Sequence, residues 1–335
     1  MYLKDIIRGG NDTYAPPIYD KFMDAAITIA ERVELIHPAR FLFNAGSTPK
    51  AWNQKMLNDE HFKVLHYEED ASRVFNNTDI KGGVAVTYYD DTISFGAIEI
   101  FTKYEELNSI LEKVRRHPKY IGLDSIAVTS YAYHFTERLY KDMPSLKGAL
   151  SKGHEYDFKS NVFEKIGDAF NESKPDDKFK YIRILGRMNN ERCYKFIREE
   201  YVNRVDNLYS YKVFLPGATG TGQFGETIAT PIIGEPADGS TETFLSIGSF
   251  KERYEAESVA KYIRTKFARA LFGVLKSTQA NTPGKWKCVP VQDFTEKSDI
   301  NWNTSIKNID KQLYKKYGLS DEEINFIETN VKEME

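Results

Sequence analysis

Residues 183–201, RILGRMNNERCYKFIREEY, place several arginine and asparagine side chains close together in the sequence. Arginine forms paired hydrogen bonds with guanine and asparagine forms them with adenine, so these residue types are suited to reading base edges. A solvated strand end followed by a turn explains the same residues, and the stretch alone leaves both interpretations open. The candidate contacts are Arg183, Arg187, Asn189, Asn190 and Arg192.

A second candidate is GTGQFG at residues 220–225, which has the glycine spacing of a dinucleotide-binding loop. The match is weak because ETIATP follows in place of an apolar helix, and Pro231 comes too early for one. A flexible turn between strands and a mobile DNA-facing loop are the other interpretations. In a DNA-facing loop the glycines allow close backbone approach, and the hydrogen-bonding side chains are Thr219, Thr221 and Gln223.

Patterns for metal or acid chemistry are weaker still. The six histidines never stand at ligand spacing with a cysteine or another histidine, so we predict no metal site and no catalytic residue. Asp90, Asp91, Glu99 and Lys103 include the residue types of a nuclease centre. Because Glu99 and Lys103 are too far apart for one acidic-x-lysine trio, a sheet hairpin with solvated charges is the preferred interpretation.

Charge is distributed unevenly along the 335 residues, whose net charge is only -3. Residues 178–216 hold nine Lys or Arg against four Asp or Glu, and residues 251–287 hold nine against three. Contact with a polyanion must therefore come from local patches. The two cysteines are far apart, and neither a signal peptide nor a membrane span is recognisable, which predicts a cytoplasmic chain in a reducing compartment.

Periodicity predicts an α/β region followed by a mixed α+β region and a helical tail. Helices are expected at 17–32, 48–59, 103–118, 255–277 and as a pair in 305–335, where Ser320 and Glu323 form a capping box. Strands are expected at 33–38, 62–68, 82–90, 179–187, 211–216, 230–236 and 241–250. The predicted domains are 1–105, a helical connector at 106–178, a domain of short strands and glycine-rich turns at 179–290 and a tail at 291–335.

Several ordered segments together resemble the C-terminal part of bacterial adenine-N6 DNA methyltransferases of restriction-modification systems, including those fused to a nuclease. They include PPIYDKFMDAA, VELIHPARFLFNAGSTPKAWNQKML, ILGRMNNERCYKFI, FGETIATPIIGEP and YIRTKFARALFGVLKSTQANTPGKWKCVPVQDFT. In that family an Asn-Pro-Pro-Tyr loop, which holds the flipped adenine, precedes the PIYDKF helix. Here APPI stands at 15–18, and Ala15 and Ile18 cannot do that chemistry.

The resemblance implies a partial methyltransferase-like sheet in 1–105, and it implies that 179–290 is a target recognition domain that binds double-stranded DNA. It makes Phe75 the candidate for packing against the flipped adenine, with core packing as an equal alternative, and it adds Lys212 to the phosphate contacts. The cofactor loop is expected to be missing, so S-adenosylmethionine is expected only in a complete enzyme. A catalytic methyltransferase subunit or a second copy of the chain is the implied protein partner.

Three functions follow as hypotheses. The leading one is the DNA-recognition part of an adenine methyltransferase or restriction-modification enzyme, inactive alone. The second is a restriction nuclease with the same recognition module, which predicts loss of cleavage on mutating Asp90 or Glu99. The third is a decoy subunit that binds a methyltransferase partner through the incomplete sheet, whose open edge and apolar face need cover.

Overall fold

The structure is a computed structural model that describes residues 17–76 and 80–334, and the chain divides into two compact units, 1–108 and 109–335. The helices and strands of the first unit are α1 (Tyr19–Ile29), β1 (Arg32–Pro38), α2 (Lys50–Leu57), β2 (Phe62–Glu68) and β3 (Val84–Asp90). The three strands form an antiparallel sheet in the order β1-β3-β2. These bounds confirm the expected elements. Ala15, Asn77 and Asp79 lie outside the described residues.

Helix α1 has two apolar stripes, and the one that faces the core is not the one that sequence periodicity picked out. Met23 is buried in a cluster that Tyr19 and Ile27 also join. By contrast, Ile18, Phe22 and Ile29 are 53%, 64% and 85% exposed, and Ala25 is exposed as well. The helix was predicted correctly, but its most regular apolar stripe faces away from the core of its own unit.

The second unit mixes two small sheets with helices, which confirms the expected α/β class. The strands are β4 (Ala127–Val128), β5 (Tyr181–Met188), β6 (Glu191–Arg198), β7 (Tyr211–Pro216), β8 (Ile232–Gly234), β9 (Asp238–Ser240) and β10 (Phe244–Phe250). One sheet is antiparallel and has the order β4-β10-β7-β8. The other has the order β6-β5-β9, in which β5 and β9 are parallel. Helix α3 (Glu105–Arg115) begins in the first unit and continues into the second. The other helices of the second unit are α4 (Glu137–Asp142), α5 (Val162–Lys165), α6 (Arg253–Tyr262), α7 (Lys266–Leu275), α8 (Ile306–Lys316) and α9 (Asp321–Asn330).

The helical connector and the strands that follow it share one hydrophobic core. Phe158 and Phe163 from the connector pack in the same cluster as Ile182 and Ile197 from β5 and β6. The polar segment 172–178 between them has no regular structure, as expected for a loop. The hydrophobic core beneath β5 and β6 is therefore formed partly by residues that precede the predicted recognition domain. The four-part domain division itself stays a prediction.

The long helix expected at 255–277 is two helices. Thr265 interrupts it, and its hydroxyl accepts a hydrogen bond from the backbone N–H of Ala268 at 3.1 Å, which caps α7. Buried Asp310 accepts the first two backbone N–H groups of α7. The tail was predicted correctly, since α8 and α9 meet at Gly318 and the capping box of Ser320 with Glu323 is formed.

None of the helices that the structure describes combines the length and the apolar character needed to cross a bilayer.

Candidate nucleic-acid interface

Strands β5 and β6 form a hairpin whose tip, residues 187–192, contains the asparagines singled out in the sequence. Met188 pairs with Glu191, so the connecting loop is only Asn189-Asn190, and both residues have positive φ, 52° and 64°. Two consecutive positive φ values define the type I′ turn that fits the twist of a two-residue hairpin. Asparagine tolerates this conformation better than other residues with a Cβ. The turn holds both amide side chains exposed at the end of the hairpin.

Arg187 and Arg192 lie directly opposite each other on the two strands of the hairpin tip, and both are exposed. A guanidinium N–H of Arg187 donates to the backbone carbonyl of Asn190 at 2.8 Å, and the Arg192 guanidinium lies 5.9 Å from the centre of the Phe244 ring. Neither forms an ion pair with any residue in the described part of the chain. Like charges directly opposite on a hairpin are unfavourable, so this site would gain from an anion.

Arg183 has a different environment, although it stands on the same strand. Its guanidinium donates through Nε and Nη2 to the two carboxylate oxygens of Asp238, at 2.8 and 2.7 Å. Asp238 is buried on β9, and the arginine also lies over the ring of Tyr194 at 4.3 Å. This paired geometry already uses the forked edge that would bind guanine. Arg183 is therefore wrongly predicted as a base-reading side chain.

Lys212 is also wrongly predicted, because it is fully buried. Its ammonium donates to three backbone carbonyls, those of Leu208, Glu235 and Asp238, at 3.0, 3.2 and 2.7 Å. Burial lowers the pKa of Lys212 to about 8. All three N–H groups of the ammonium donate to carbonyls inside the protein, so this lysine stabilises the fold and cannot reach a phosphate.

The glycine-rich loop, defined as residues 217–231, folds around the carboxylate of Glu226. That carboxylate accepts from the backbone N–H of Thr221 at 2.7 Å and of Gly222 at 2.9 Å, and from the Thr221 hydroxyl at 3.1 Å. Buried Lys276 forms an ion pair with it. Burial alone would raise the pKa of Glu226, but these hydrogen bonds lower it to about 2.

Successive backbone N–H groups in a glycine-rich turn form the kind of concavity that binds phosphate. In this chain the concavity already contains a carboxylate from the same loop. The structure therefore gives a physical reason against the dinucleotide interpretation of GTGQFG. Glu226 was missed in the sequence, although its place directly after the last glycine of GTGQFG was a usable signal.

The three predicted side chains of the glycine-rich loop differ in availability. The Thr219 hydroxyl accepts the backbone N–H of Ala229 at 3.1 Å, and the Thr221 hydroxyl donates to Glu226. Both hydroxyls hold the loop together. Gln223 is exposed, and its backbone N–H donates to the Thr221 hydroxyl at 3.4 Å. Of the three, Gln223 is best placed to contact a ligand.

The hairpin tip and the glycine-rich loop are connected through Phe244. Its ring lies beside Arg192, and its backbone pairs with Pro216, the last residue of β7. The next residue, Gly217, begins the loop and donates its N–H to the carbonyl of Thr243 at 2.8 Å. Strand pairing thus brings the hairpin tip close to the start of the glycine-rich loop.

The remaining candidates lie in the first unit. Phe75 is 42% exposed, and its backbone N–H donates to Ala71. Asp90 is buried and accepts from the Thr92 N–H and hydroxyl and the Tyr88 hydroxyl, besides pairing with Arg32 at 3.1 Å. No strand follows β3 within 91–100, so the predicted hairpin is wrong, although the charged residues Asp91, Glu99 and Lys103 are exposed as predicted. Asp90 instead ends β3 as a local cap.

The chain was compared with known proteins. The sequence model of the Eco57I restriction-modification methylase family matches residues 2–75. Among solved structures, the type IIG restriction endonuclease BpuSI is similar, with a TM-score of 0.29 and 9% identity over 84% of this chain and 42% of that chain. The chain thus spans less than half the length of that enzyme. No curated protein sequence matches it. The N-terminal part of the chain is thus similar in sequence to restriction-modification methylases.

Proposed function

We propose that the second unit is the sequence-reading part of an adenine-N6 DNA methyltransferase of a restriction-modification system, and that the hairpin tip enters the major groove of double-stranded DNA. The observation that carries the proposal is the pair of exposed, directly opposed arginines, Arg187 and Arg192, without an ion-pair partner among the described residues. A two-stranded ribbon fits the width of the major groove. The match of residues 2–75 to restriction-modification methylases supports the biological setting.

Each group at this surface has a proposed role. Arg187 and Arg192 bind guanine edges or the flanking phosphates, while Asn189 and Asn190 extend their amides beyond the strands toward adenine. Gln223 adds a donor and an acceptor from the glycine-rich loop. Thr219 and Thr221 shape that loop from within.

The catalytic steps belong to the complete enzyme in this proposal. S-adenosylmethionine and the Asn-Pro-Pro-Tyr loop are supplied by its catalytic part. Phe75, with its ring partly exposed, packs against the extruded adenine in that assembly. The chain alone is expected to bind DNA without methylating or cutting it.

The test is selection of duplexes from a random pool by the full chain, followed by titration of the enriched duplex at several salt concentrations. We expect an enriched sequence bound at least about 10³-fold more tightly than random duplex, as is usual for specific binding. No enrichment at low salt, with the purified chain folded, would refute the proposal. Methylation of adenine by the chain alone would refute the division of labour.

A second candidate function, binding of a protein partner through the first unit, is favoured by the outer stripe of α1. Ile18, Phe22 and Ile29 are exposed there, and Ile36 on the edge strand β1 is 53% exposed. Such a surface is typical of an interface with another chain, here a catalytic methyltransferase subunit or a second copy. Light scattering should report a mass above one chain at micromolar concentration or with the catalytic subunit added. The Phe22→Ser variant should remain monomeric in both cases.

A further inference from the structure

The glycine-rich loop is held by a carboxylate and by the C-terminal segment, and neither was among the predicted DNA contacts. We infer that Glu226, together with the chain after α9, fixes the shape of the glycine-rich loop and thereby sets which DNA sequence the second unit prefers. Glu226 is a positioning residue in this inference and does not touch DNA. The inference rests on the proposed function.

The first step is the geometry around the Glu226 carboxylate. Two backbone N–H groups, one hydroxyl and one buried ammonium converge on its two oxygens. The Lys276 side chain is only 2% exposed and that of Glu226 is 14% exposed, so water does not screen this pair strongly. Gly220 has φ +62°, and a Cβ there would collide with the carboxylate. Residues 220–222 of the loop are thus in close contact with the Glu226 carboxylate.

The second step is the contact between the glycine-rich loop and the C-terminal segment. The carbonyl of Gly225 accepts the backbone N–H of Lys332 at 2.9 Å, and the Phe224 ring lies 5.8 Å from the Phe326 ring of α9. Gly225 has φ +73°, and a Cβ there would collide with the carbonyl of Asn330. The far end of the loop is therefore fixed against the end of α9.

The third step is a buried arginine that joins the two supports. Arg269 is 1% exposed on α7, and its guanidinium donates to the backbone carbonyls of Arg264, Glu226 and Lys332. Burial lowers the pKa of Arg269 to about 10. An arginine whose three guanidinium nitrogens each donate to a carbonyl of a different segment holds those segments at a fixed spacing.

The short part of the glycine-rich loop that carries Gln223 lies between these fixed segments and is exposed. A side chain reads a base only if its backbone is held in place, because a misplaced donor leaves a desolvated base edge unpaired. Residues 293–335 hold ten Asp or Glu against six Lys or Arg, so this tail is unsuited to contacting phosphates. It would in this way still influence recognition.

The experiment compares full-length chains carrying Glu226→Ala, Glu226→Gln or, as a matched control on an exposed carboxylate, Glu296→Gln. Amide hydrogen exchange of Thr221 and Gly222 is measured without DNA, alongside affinity for the selected duplex and for random duplex. For Glu226→Ala we expect exchange at these amides to rise at least about tenfold, in line with loss of a charge-assisted hydrogen bond. Preference for the selected duplex should fall about tenfold, the scale of one lost base contact.

Affinity for random duplex and its salt dependence should change less than about twofold, because Arg187 and Arg192 are untouched. Glu226→Gln should restore part of the protection, since the amide oxygen still accepts one N–H, and Glu296→Gln should match the natural chain. If Glu226→Ala keeps the full preference for the selected duplex, the inference is wrong while the proposed function stands. If the natural chain shows no preference at all, the proposed function fails, and the inference fails with it.

Discussion

Arg183 and Arg187 stand on the same face of β5, four residues apart, and their environments are opposite. Arg183 lies beside β9, which supplies the buried carboxylate of Asp238. The pairing of β5 with β9 ends at Leu185, so within the described residues no strand lies beside Arg187 on that side. Whether a basic residue supports the fold or faces solvent is decided here by the length of the three-residue strand β9. A count of local charge cannot detect that difference.

The largest effect should come from Lys212→Met, which replaces another basic residue that is buried within the fold. The three hydrogen bonds that the ammonium donates would be lost, at about 1 to 2 kcal/mol each, so the free energy of unfolding should fall by about 4 kcal/mol. Urea unfolding followed by fluorescence measures this. Arg187→Ala, on the exposed side, is the control and should change stability by less than about 0.5 kcal/mol.

A loss of DNA affinity by Lys212→Met, measured on protein shown to be folded, would contradict the buried role assigned to Lys212.

Asp238→Asn should have the next largest effect. It removes the charge that Arg183 pairs with, and because the Arg183 side chain is 36% exposed, the cost should be about 2 kcal/mol, below that of a fully buried pair. Thermal or urea unfolding measures it. The double variant Arg183→Met/Asp238→Asn should recover part of the loss, since no arginine is then left unpaired. A double variant less stable than Asp238→Asn would show that Arg183 supports the fold without its carboxylate.

On the exposed side, Arg187→Ala and Arg192→Ala should each weaken DNA binding about tenfold and leave unfolding nearly unchanged. If an arginine contacts phosphate, the slope of log affinity against log salt should fall by about 1. If it reads guanine, the slope should hold and preference at one base pair should relax. Titrations at four salt concentrations separate the two, with Lys178→Ala as a control basic residue outside the tip. Unchanged affinity in both variants would remove the hairpin tip from the interface.

The sequence was sufficient for elements whose causes are local. The strand at 62–68 and the capping box of Ser320 with Glu323 follow from neighbouring residues and were predicted with their bounds. The roles of Lys212 and Arg183 depend on carbonyls and a carboxylate more than 20 residues away, so alternation and charge could not reveal them. Glu226 is an intermediate case, because its partner Lys276 is distant but its loop donors are adjacent.

The smallest effect should come from Asn190→Gly, which separates the shape of the hairpin tip from its chemistry. Asn190 has φ 64°, and Asn-Gly is the preferred pair for a type I′ turn, so stability should rise by about 0.5 kcal/mol. The carbonyl that accepts from Arg187 is retained, because it belongs to the backbone. Any loss of DNA preference must then come from the missing amide side chain. Binding to duplexes that differ at single adenines identifies the base that Asn190 reads. If stability rises and the preference for the selected duplex is fully kept, Asn190 only shapes the turn.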